Sequence, residues 1–317
     1  MATPVEMINQ AVSPFAGLFN RARLGFPRYF FQGNEPISGD LMGTAVFREL
    51  RKRGARGIAV ATHHREVFQH NPDVDKIIHH PRPGLNRWLR CGLPLRQLDQ
   101  TAYDPARDAD EPPNEHVLIQ MCRRAGVTGK VELRPYLFLT REEFEAGRLG
   151  RDQVVMQSSD LASPNPMRNR EWYPHRFQEV CAVLRSDVTV IQVGAASDPK
   201  LEGATDMRGR TTLRQTAAIL AQSLAFVGLA GYLMQVARAV DCRAVIVYGG
   251  REKPSQTGYV ANKNLYTQVR CAPCWLRNPC EFDRKCMEMV TVDQVVAATA
   301  DQISRYGTLL EVQTAEI

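Results

Sequence analysis

The sequence has no apolar run approaching the roughly 20 residues needed to span a bilayer, which excludes a helical membrane protein. Its opening residues include Glu6, Asn9 and Gln10 and lack a basic stretch ahead of an apolar core. A secretory signal is therefore not expected, and the cytoplasm is the default compartment. A strong charge of one sign is also missing. The 40 Lys and Arg against 34 Asp and Glu leave a net charge of +6, too weak a field to argue for a nucleic-acid partner. That balance does suit a phosphate-bearing ligand, and peripheral contact with an anionic membrane surface stays open. The 317 residues are enough for two domains of ordinary size, and the 44% hydrophobic and 23% charged fractions are those of a globular chain.

Of the eight cysteines, Cys91, Cys122, Cys181 and Cys242 are scattered in apolar or mixed settings and read as core thiols. The other four, Cys271, Cys274, Cys280 and Cys286, crowd into a C-x2-C-x5-C-x5-C pattern. A C-x2-C pair puts two thiolates on one tight turn, and two more a short loop away complete a tetrahedron about Zn2+ or Fe. With four cysteine ligands no position stays open for water or substrate, so such a metal is structural and no catalytic metal is expected. Paired disulfides or free thiols are the alternatives. In a reducing compartment metal is favoured over disulfides.

The stretch 224–250 organises the chain. Leu224 to Val227 is a short apolar run that stops at Gly228. After Gly231, the residues Leu233, Val236, Ala237 and Val240 share one helical face, and Ala244 to Tyr248 is a β-rich run without polar alternation. This predicts a buried parallel βαβ unit, with an anion site at the glycine turn and helix start, Gly228 to Tyr232, or simply a structural corner.

The same grammar runs through the rest. Residues 1 to about 27 have no sustained period. A helix is predicted over Leu41–Arg53, burying Met42, Ala45, Val46 and Leu50, so that Gly39 and Asp40 fall in a tight loop where Asp40 is an N-cap or a functional carboxylate. Gly57 to Thr62 reads as a strand, as does the stretch after Asn71-Pro72. The segment from His79 to Pro113, dense in Arg, Pro and Gly and carrying Trp88 and Tyr103, is long for a connection and suggests an acceptor-side lid. The arginine-rich loop from Arg82 to Arg96 reads as a solvated face, and the pairs His63-His64 and His79-His80 as loop histidines. Asn114–Ala125 is helical by period. Leu133–Leu139 is strand-like and leads to Thr140, with Glu143 three residues on in a capping-box pattern. Residues 146–152 form the best boundary between domains 1–150 and 151–317. Beyond it a strand from Val154, a helix opened by Trp172-Tyr173-Pro174, a strand ending at Gly194, a helix capped by Thr211 or Thr212 and a last helix from Val292 to Arg305 complete a second α/β domain.

With these pieces in order, the sequence resembles the ADP-heptose:lipopolysaccharide heptosyltransferase family, glycosyltransferase family nine, over nearly the whole chain from about Gly33. SGDLMGTAVFRELRKRG looks like the family's Gly-Asp loop and first helix, and NPDVDKII like its Asn-Pro turn and strand. REWYPHRF is similar to its Lys-x-Trp-Pro segment and MRGRTTLRQTAAILAQSLAFVG to its approach to the donor site. CAPCWLRNPC resembles a cysteine-bearing subset. The resemblance implies a GT-B fold of two Rossmann-like domains with an interdomain cleft, plus a small Cys-rich metal-binding loop. It also implies inverting transfer of a sugar from a nucleoside diphosphate donor, ADP-heptose in the family, to a glycan, lipid-linked or protein acceptor. Asp40 matches the family's catalytic base, and Arg170 stands near the family's lysine, keeping its charge in another geometry. Gly39, Arg170, Gly194, Gly228, Ala230, Gly231, Tyr232, Met234 and Gln235 are the implied donor-binding residues. Ala230 replaces an acid of the family's donor motif and Gln235 a histidine, which leaves the sugar open and keeps in play a non-catalytic binding or scaffold protein on the same fold, or more remotely a metal- or redox-sensing module. Oligomeric state is not readable.

Overall fold

The computed structural model describes residues 27–33, 36–79, 95–97 and 102–317. The expectations for the lead-in before residue 27, for His80, Trp88 and Cys91, and for the arginine-rich loop up to residue 94 lie outside the described residues. Among the described residues no helix is long and apolar enough to cross a membrane.

Strands β1 (Tyr29–Gln32), β2 (Ile58–Thr62), β3 (Lys76–His79) and β4 (Leu95–Gln97) form one parallel sheet in the order β3-β2-β1-β4. A small antiparallel hairpin, β5 (Tyr103–Asp104) with β6 (Ala109–Asp110), and the short strand β7 (Lys130–Glu132) follow. Six further strands, β8 (Gln153–Met156), β9 (Thr189–Gln192), β10 (Thr205–Asp206), β11 (Ala225–Leu229), β12 (Ala244–Gly249) and β13 (Lys263–Tyr266), make a second parallel sheet in the order β10-β9-β8-β11-β12-β13. That is the doubly wound order, and the first sheet repeats its first four places. In each sheet the order reverses beside the first strand, so both sheets leave a crevice at the carboxyl ends of their central strands. The last strand, β14 (Thr314–Glu316), returns to pair antiparallel with β7.

The local chemistry explains these elements. Every residue of β8, β11 and β12 is buried, the near-continuous apolar run of a parallel strand covered on both faces. Helix Ile37–Lys52 packs Leu41, Met42, Ala45, Val46, Phe47 and Leu50 into the core, with Phe31 and Phe47 ring centroids 4.7 Å apart. Pro174 opens helix Pro174–Leu184, where a missing N–H costs nothing. Beneath it Trp172 meets Phe177 edge-on and donates its indole N–H to the Val290 carbonyl at 3.1 Å. Full capping boxes form at Thr140 with Glu143, Thr212 with Gln215 and Thr291 with Gln294.

Several expectations change. The first long helix begins at Ile37, four residues early, so Gly39 and Asp40 sit inside its first turn and Asp40 is not a cap. Leu133–Leu139 pairs with no strand: Pro135 has no N–H to give a ladder, and the segment is fixed instead by burial of Leu133 and Leu137 and by the Tyr136 N–H donating to Thr44 at 2.7 Å. Gly228 lies within β11 rather than in a turn, and glycine is needed there because the Phe226 ring fills the space a side chain would take. The hairpin β5–β6, inside what read as structureless loop, is held by a bridge from Ala109 to Leu276.

Candidate functional site

A cavity of about 750 Å³ opens at the carboxyl ends of both sheets. Its wall takes Gly33, Gly39 and Asp40 from beyond β1, Gln157, Ser159 and Asp160 from beyond β8, Gly194 and Asp198 from beyond β9, Tyr232 and Leu233 from the helix after β11, and Glu252 from beyond β12. The hairpin adds Tyr103 and Asp110, and the cysteine-bearing segment adds Trp275 and Arg277. Its size matches small-molecule sites, and its place is where doubly wound sheets bind ligands.

Asp40 is buried on the first-sheet side. Its Oδ2 accepts from the Thr62 hydroxyl and lies 3.1 Å from His64 Nδ1. Burial holds the carboxyl above its ordinary value and outweighs those two contacts, which pull it down. Gly33 is a glycine for a packing reason: a Cβ there would stand 2.2 Å from Asp40 Oδ1. A buried carboxyl with a raised pKa on a cavity wall is suited to take a proton from a bound hydroxyl.

On the opposite wall Arg170 donates through Nε to Glu252 Oε1 at 2.5 Å, while among the described residues its terminal nitrogens make no hydrogen bond. Glu252 also faces Arg251 Nη1 at 3.3 Å; Arg251 pairs with Asp110, and Asp110 accepts from Arg277 Nε at 3.0 Å. The Arg277 guanidinium lies 3.8 Å over the Tyr103 ring. Charges of alternating sign thus run from the hairpin through β12's end to the cavity. Such a chain sets each buried charge beside an opposite one, although Arg251 Nε and Glu252 Oε2 find no hydrogen-bond partner among the described residues.

Asp160, Glu171 and Asp198 gather beside this chain. Burial pushes Asp160 up to about 6, against the pull of Arg170, and pushes Glu171 up to about 7, with Asp160 and Asp198 adding to it. Asp198 Oδ2 accepts the Ala195 N–H at 2.9 Å and sits 2.3 Å from where a Cβ on Gly194 would lie. Gly194 also has φ +135°, so glycine is required there twice over. The raised carboxyls have a stability consequence. Glu171 binds its proton more tightly folded than unfolded, so its contribution is fully present below pH 4.5 and is lost as pH rises through about 7. Glu171→Gln keeps the oxygen that accepts the Asp160 N–H and removes the charge. It is expected to leave stability at pH 4 unchanged and to raise it at pH 8 by up to about 3 kcal/mol. Thermal unfolding at the two pH values checks this, and a loss of stability at pH 8 would contradict it.

The expected donor turn is only partly at the site. Tyr232 lines the cavity, and Gly231 caps the helix Tyr232–Ala239 with Asp160 Oδ2 within 3.2 Å of its Cβ direction. Gly228, Ala230 and Met234 are instead core positions: Ala230 is buried in the main apolar cluster, and Met234 Sδ receives the Tyr248 hydroxyl at 3.2 Å. Gln235 is buried, and its Oε1 has no partner among the described residues. Neither Ala230 nor Gln235 reaches the cavity wall. Of the sequence-derived residues, Gly39, Asp40, Arg170, Gly194 and Tyr232 are brought together there.

Among the described residues no group of three or more His, Cys, Asp or Glu is arranged to hold a metal ion, so the four-cysteine metal site expected from spacing finds no support there. Cys271, Cys274, Cys280 and Cys286 are free thiols, and Cys271 is exposed. The segment around them is fixed by other bonds: Asn169 Nδ2 donates to the Leu276 and Pro279 carbonyls at 3.2 and 2.8 Å, and the Trp275 N–H donates to the Arg251 carbonyl at 3.0 Å. The sequence marks His64 only as a loop histidine and Tyr103 only within the lid segment, and gives no role to Asp110, Asp160, Glu252, Trp275 or Arg277. Only Asp160, placed just past the strand-ending Ser158-Ser159, carried a positional signal.

No protein-family profile matches the sequence, and no curated protein matches it. Solved structures do resemble it. A glycosyl transferase family 9 protein from Veillonella parvula DSM 2008 superposes with TM-score 0.62 at 14% identity, over 88% of this chain and 98% of that one. The E. coli ADP-heptose LPS heptosyltransferase II superposes with TM-score 0.62 at 15% identity, over 87% and 99%. The dodecameric iron-containing heptosyltransferase TibC, of enterotoxigenic E. coli H10407, gives TM-score 0.67 at 15% identity in its complex with ADP-D-β-D-heptose, over 88% and 76%. At these identities the likeness is one of fold: the chain has the α/β architecture of the family 9 glycosyltransferases, over nearly all of its length.

Proposed function

We propose that this protein is an inverting glycosyltransferase of the family 9, heptosyltransferase-like type, built as a GT-B enzyme whose two Rossmann-like domains meet near residue 150 around the cavity. One observation carries the reading: a buried carboxyl of raised pKa, Asp40, lines the same cavity as Arg170 and a helix N-terminus, which stand on its opposite wall, at the carboxyl ends of two doubly wound sheets. The substrate class is a nucleoside diphosphate sugar, with ADP-heptose the first candidate because structural neighbours are described with it. The acceptor is a hydroxyl of a glycan, lipid-linked sugar or protein.

The acceptor hydroxyl gives its proton to Asp40 as its oxygen attacks the anomeric carbon from the face opposite the diphosphate. The bond from that carbon to the diphosphate oxygen breaks with inversion. The free Nη atoms of Arg170 and the N–H groups at the start of the helix Tyr232–Ala239 take up the leaving charge. Ala230 and Gln235 stand off the wall, so neither takes part in this chemistry.

Calorimetry with a panel of nucleoside diphosphate sugars, followed by turnover with acceptor mixtures, tests the proposal. ADP-heptose is expected to bind and to be consumed only when an acceptor is present. Binding without turnover in any mixture would favour the non-catalytic alternative, and no binding to any donor would sink both. A structural Zn or Fe at Cys271, Cys274, Cys280 and Cys286 belongs to the same proposal, supported by their spacing and by Cys274 and Cys286 each sensing two of the other thiols. The first shell would then be all thiolate and would fold the loop without entering the reaction. Metal analysis of protein purified without added metal is expected to find one equivalent per chain; a metal-free, fully active protein would remove this part.

A further inference from the structure

The pair His63-His64 read as loop histidines, but His64 turns inward at the end of β2 and meets the carboxyl proposed as the base. We infer that His64 is a positioning residue for Asp40: its ring Nδ1–H and the Thr62 hydroxyl together grip Oδ2, so that Oδ1 alone is offered to the acceptor hydroxyl. This deepens the glycosyltransferase reading and rests on it.

The hydrogen-bond directions are forced by connectivity. Thr62 is fully buried and closes β2. Its Oγ1 accepts the His64 backbone N–H at 2.8 Å, so the single hydroxyl proton goes to Asp40 Oδ2. An oxygen already accepting from Thr62 also faces His64 Nδ1 at 3.1 Å, and that contact is favourable when Nδ1 carries the proton. The imidazole is thereby held in its Nδ1–H tautomer, the arrangement by which a second residue commonly fixes a reacting group. The other side of the carboxyl lies against Gly33, where Oδ1, Cγ and Oδ2 stand 2.2, 2.8 and 2.9 Å from a Cβ position. Two donors on one oxygen and a bare glycine under the other leave the carboxyl one orientation.

Electrostatics act in the same sense. The titratable groups facing Asp40 are His64 and Glu66, both on the segment after β2; His64 favours the ionised carboxylate and Glu66 opposes it, while burial opposes it most. Removing the imidazole therefore raises the pH at which Asp40 ionises, and the acid limb of the transfer reaction follows.

The test uses the full chain and reads Asp40 apart from turnover. The Asp40 carboxyl is titrated by aspartate-selective 13C NMR, with Asp40→Asn assigning the signal, in the wild type, in His64→Ala and in His64→Asn, whose amide N–H can stand in for Nδ1–H. His64→Ala is expected to move the midpoint up by about one unit and His64→Asn to recover most of it. Transfer is expected to show the same displacement of its acid limb, with kcat down about tenfold at neutral pH and KM for the donor unchanged. 15N NMR of the wild-type imidazole gives an independent reading, expected to show the Nδ1–H tautomer. An unmoved Asp40 midpoint in His64→Ala, or the opposite tautomer, overturns the inference. A moved midpoint with no turnover by any form sinks the transferase reading and keeps the Asp40–His64 coupling.

Discussion

Asp40→Asn is expected to abolish sugar transfer, lowering kcat by a factor on the order of 10²–10⁴ while leaving donor affinity within about twofold. The size follows from what the side chain does. An alcohol attacking an anomeric carbon must lose its proton as the bond forms, and the proposed acceptor of that proton is Asp40, a buried carboxyl on the first-sheet wall. Asparagine has the same shape, so the Gly33 cradle and the first turn of helix Ile37–Lys52 are kept, and only the basicity is lost. In the proposed reading the donor is held on the other wall, around Arg170 and the helix at Tyr232, which is why binding is expected to survive. The measurement is a pair: calorimetric donor affinity and initial transfer rate at neutral pH. Near wild-type transfer by Asp40→Asn would remove Asp40 as the base. A collapse of donor affinity together with rate would mean that the two walls are not separate, and the assignment of roles would have to be redrawn.

How much of this could be read in the chain depends on the range of the interactions concerned. Strands and helices driven by local period were legible: the run Ala244 to Tyr248 is β12 almost to its last residue, and Pro174 marks its helix start. Caps were legible because Thr140 and Glu143, or Thr212 and Gln215, carry their whole interaction within four residues. Asp40 was legible as a candidate, though not its setting, since one extra turn of helix moved it out of the loop. The hairpin β5–β6 was hidden because each strand has two residues and is held by Leu276 from the far end of the sequence. The charge chain was hidden for the same reason: Arg251 and Asp110 are 141 residues apart, and nothing near either one announces the other. The cysteine cluster shows the converse. Its spacing is a strong local signal, yet spacing alone does not set four thiols in the geometry a metal needs, and among the described residues no such group is found.

The second large effect concerns Glu252. This carboxylate is almost completely buried and takes Arg170 at 2.5 Å and Arg251 at 3.3 Å. Burial alone would push its pKa up, but the two guanidinium groups win and hold it below the ordinary value. Replacing it with alanine leaves Arg170 and Arg251 facing each other without the charge between them, and Arg251 already feels Arg170 as a destabilising neighbour. Breaking a buried pair in this way costs about 3–5 kcal/mol, against less than about 1 kcal/mol for an exposed pair such as Arg141 with Glu145. Glu252→Ala is therefore expected to lower the melting temperature by roughly 10 °C, whereas Arg141→Ala leaves it almost unchanged. Function should fall with it: Arg170 loses the contact at Nε that aims its free Nη atoms at the cavity, so donor affinity drops about tenfold in those molecules that remain folded. The double variant Glu252→Ala with Arg170→Met separates the two effects. It removes the orphaned charge and is expected to recover most of the stability, because an apolar replacement of both partners is close to neutral, while the donor affinity stays low. If the double variant were no more stable than Glu252→Ala alone, the cost would lie in packing rather than in unpaired charge. If it also bound donor as tightly as the wild type, Arg170 would have no part in holding the diphosphate.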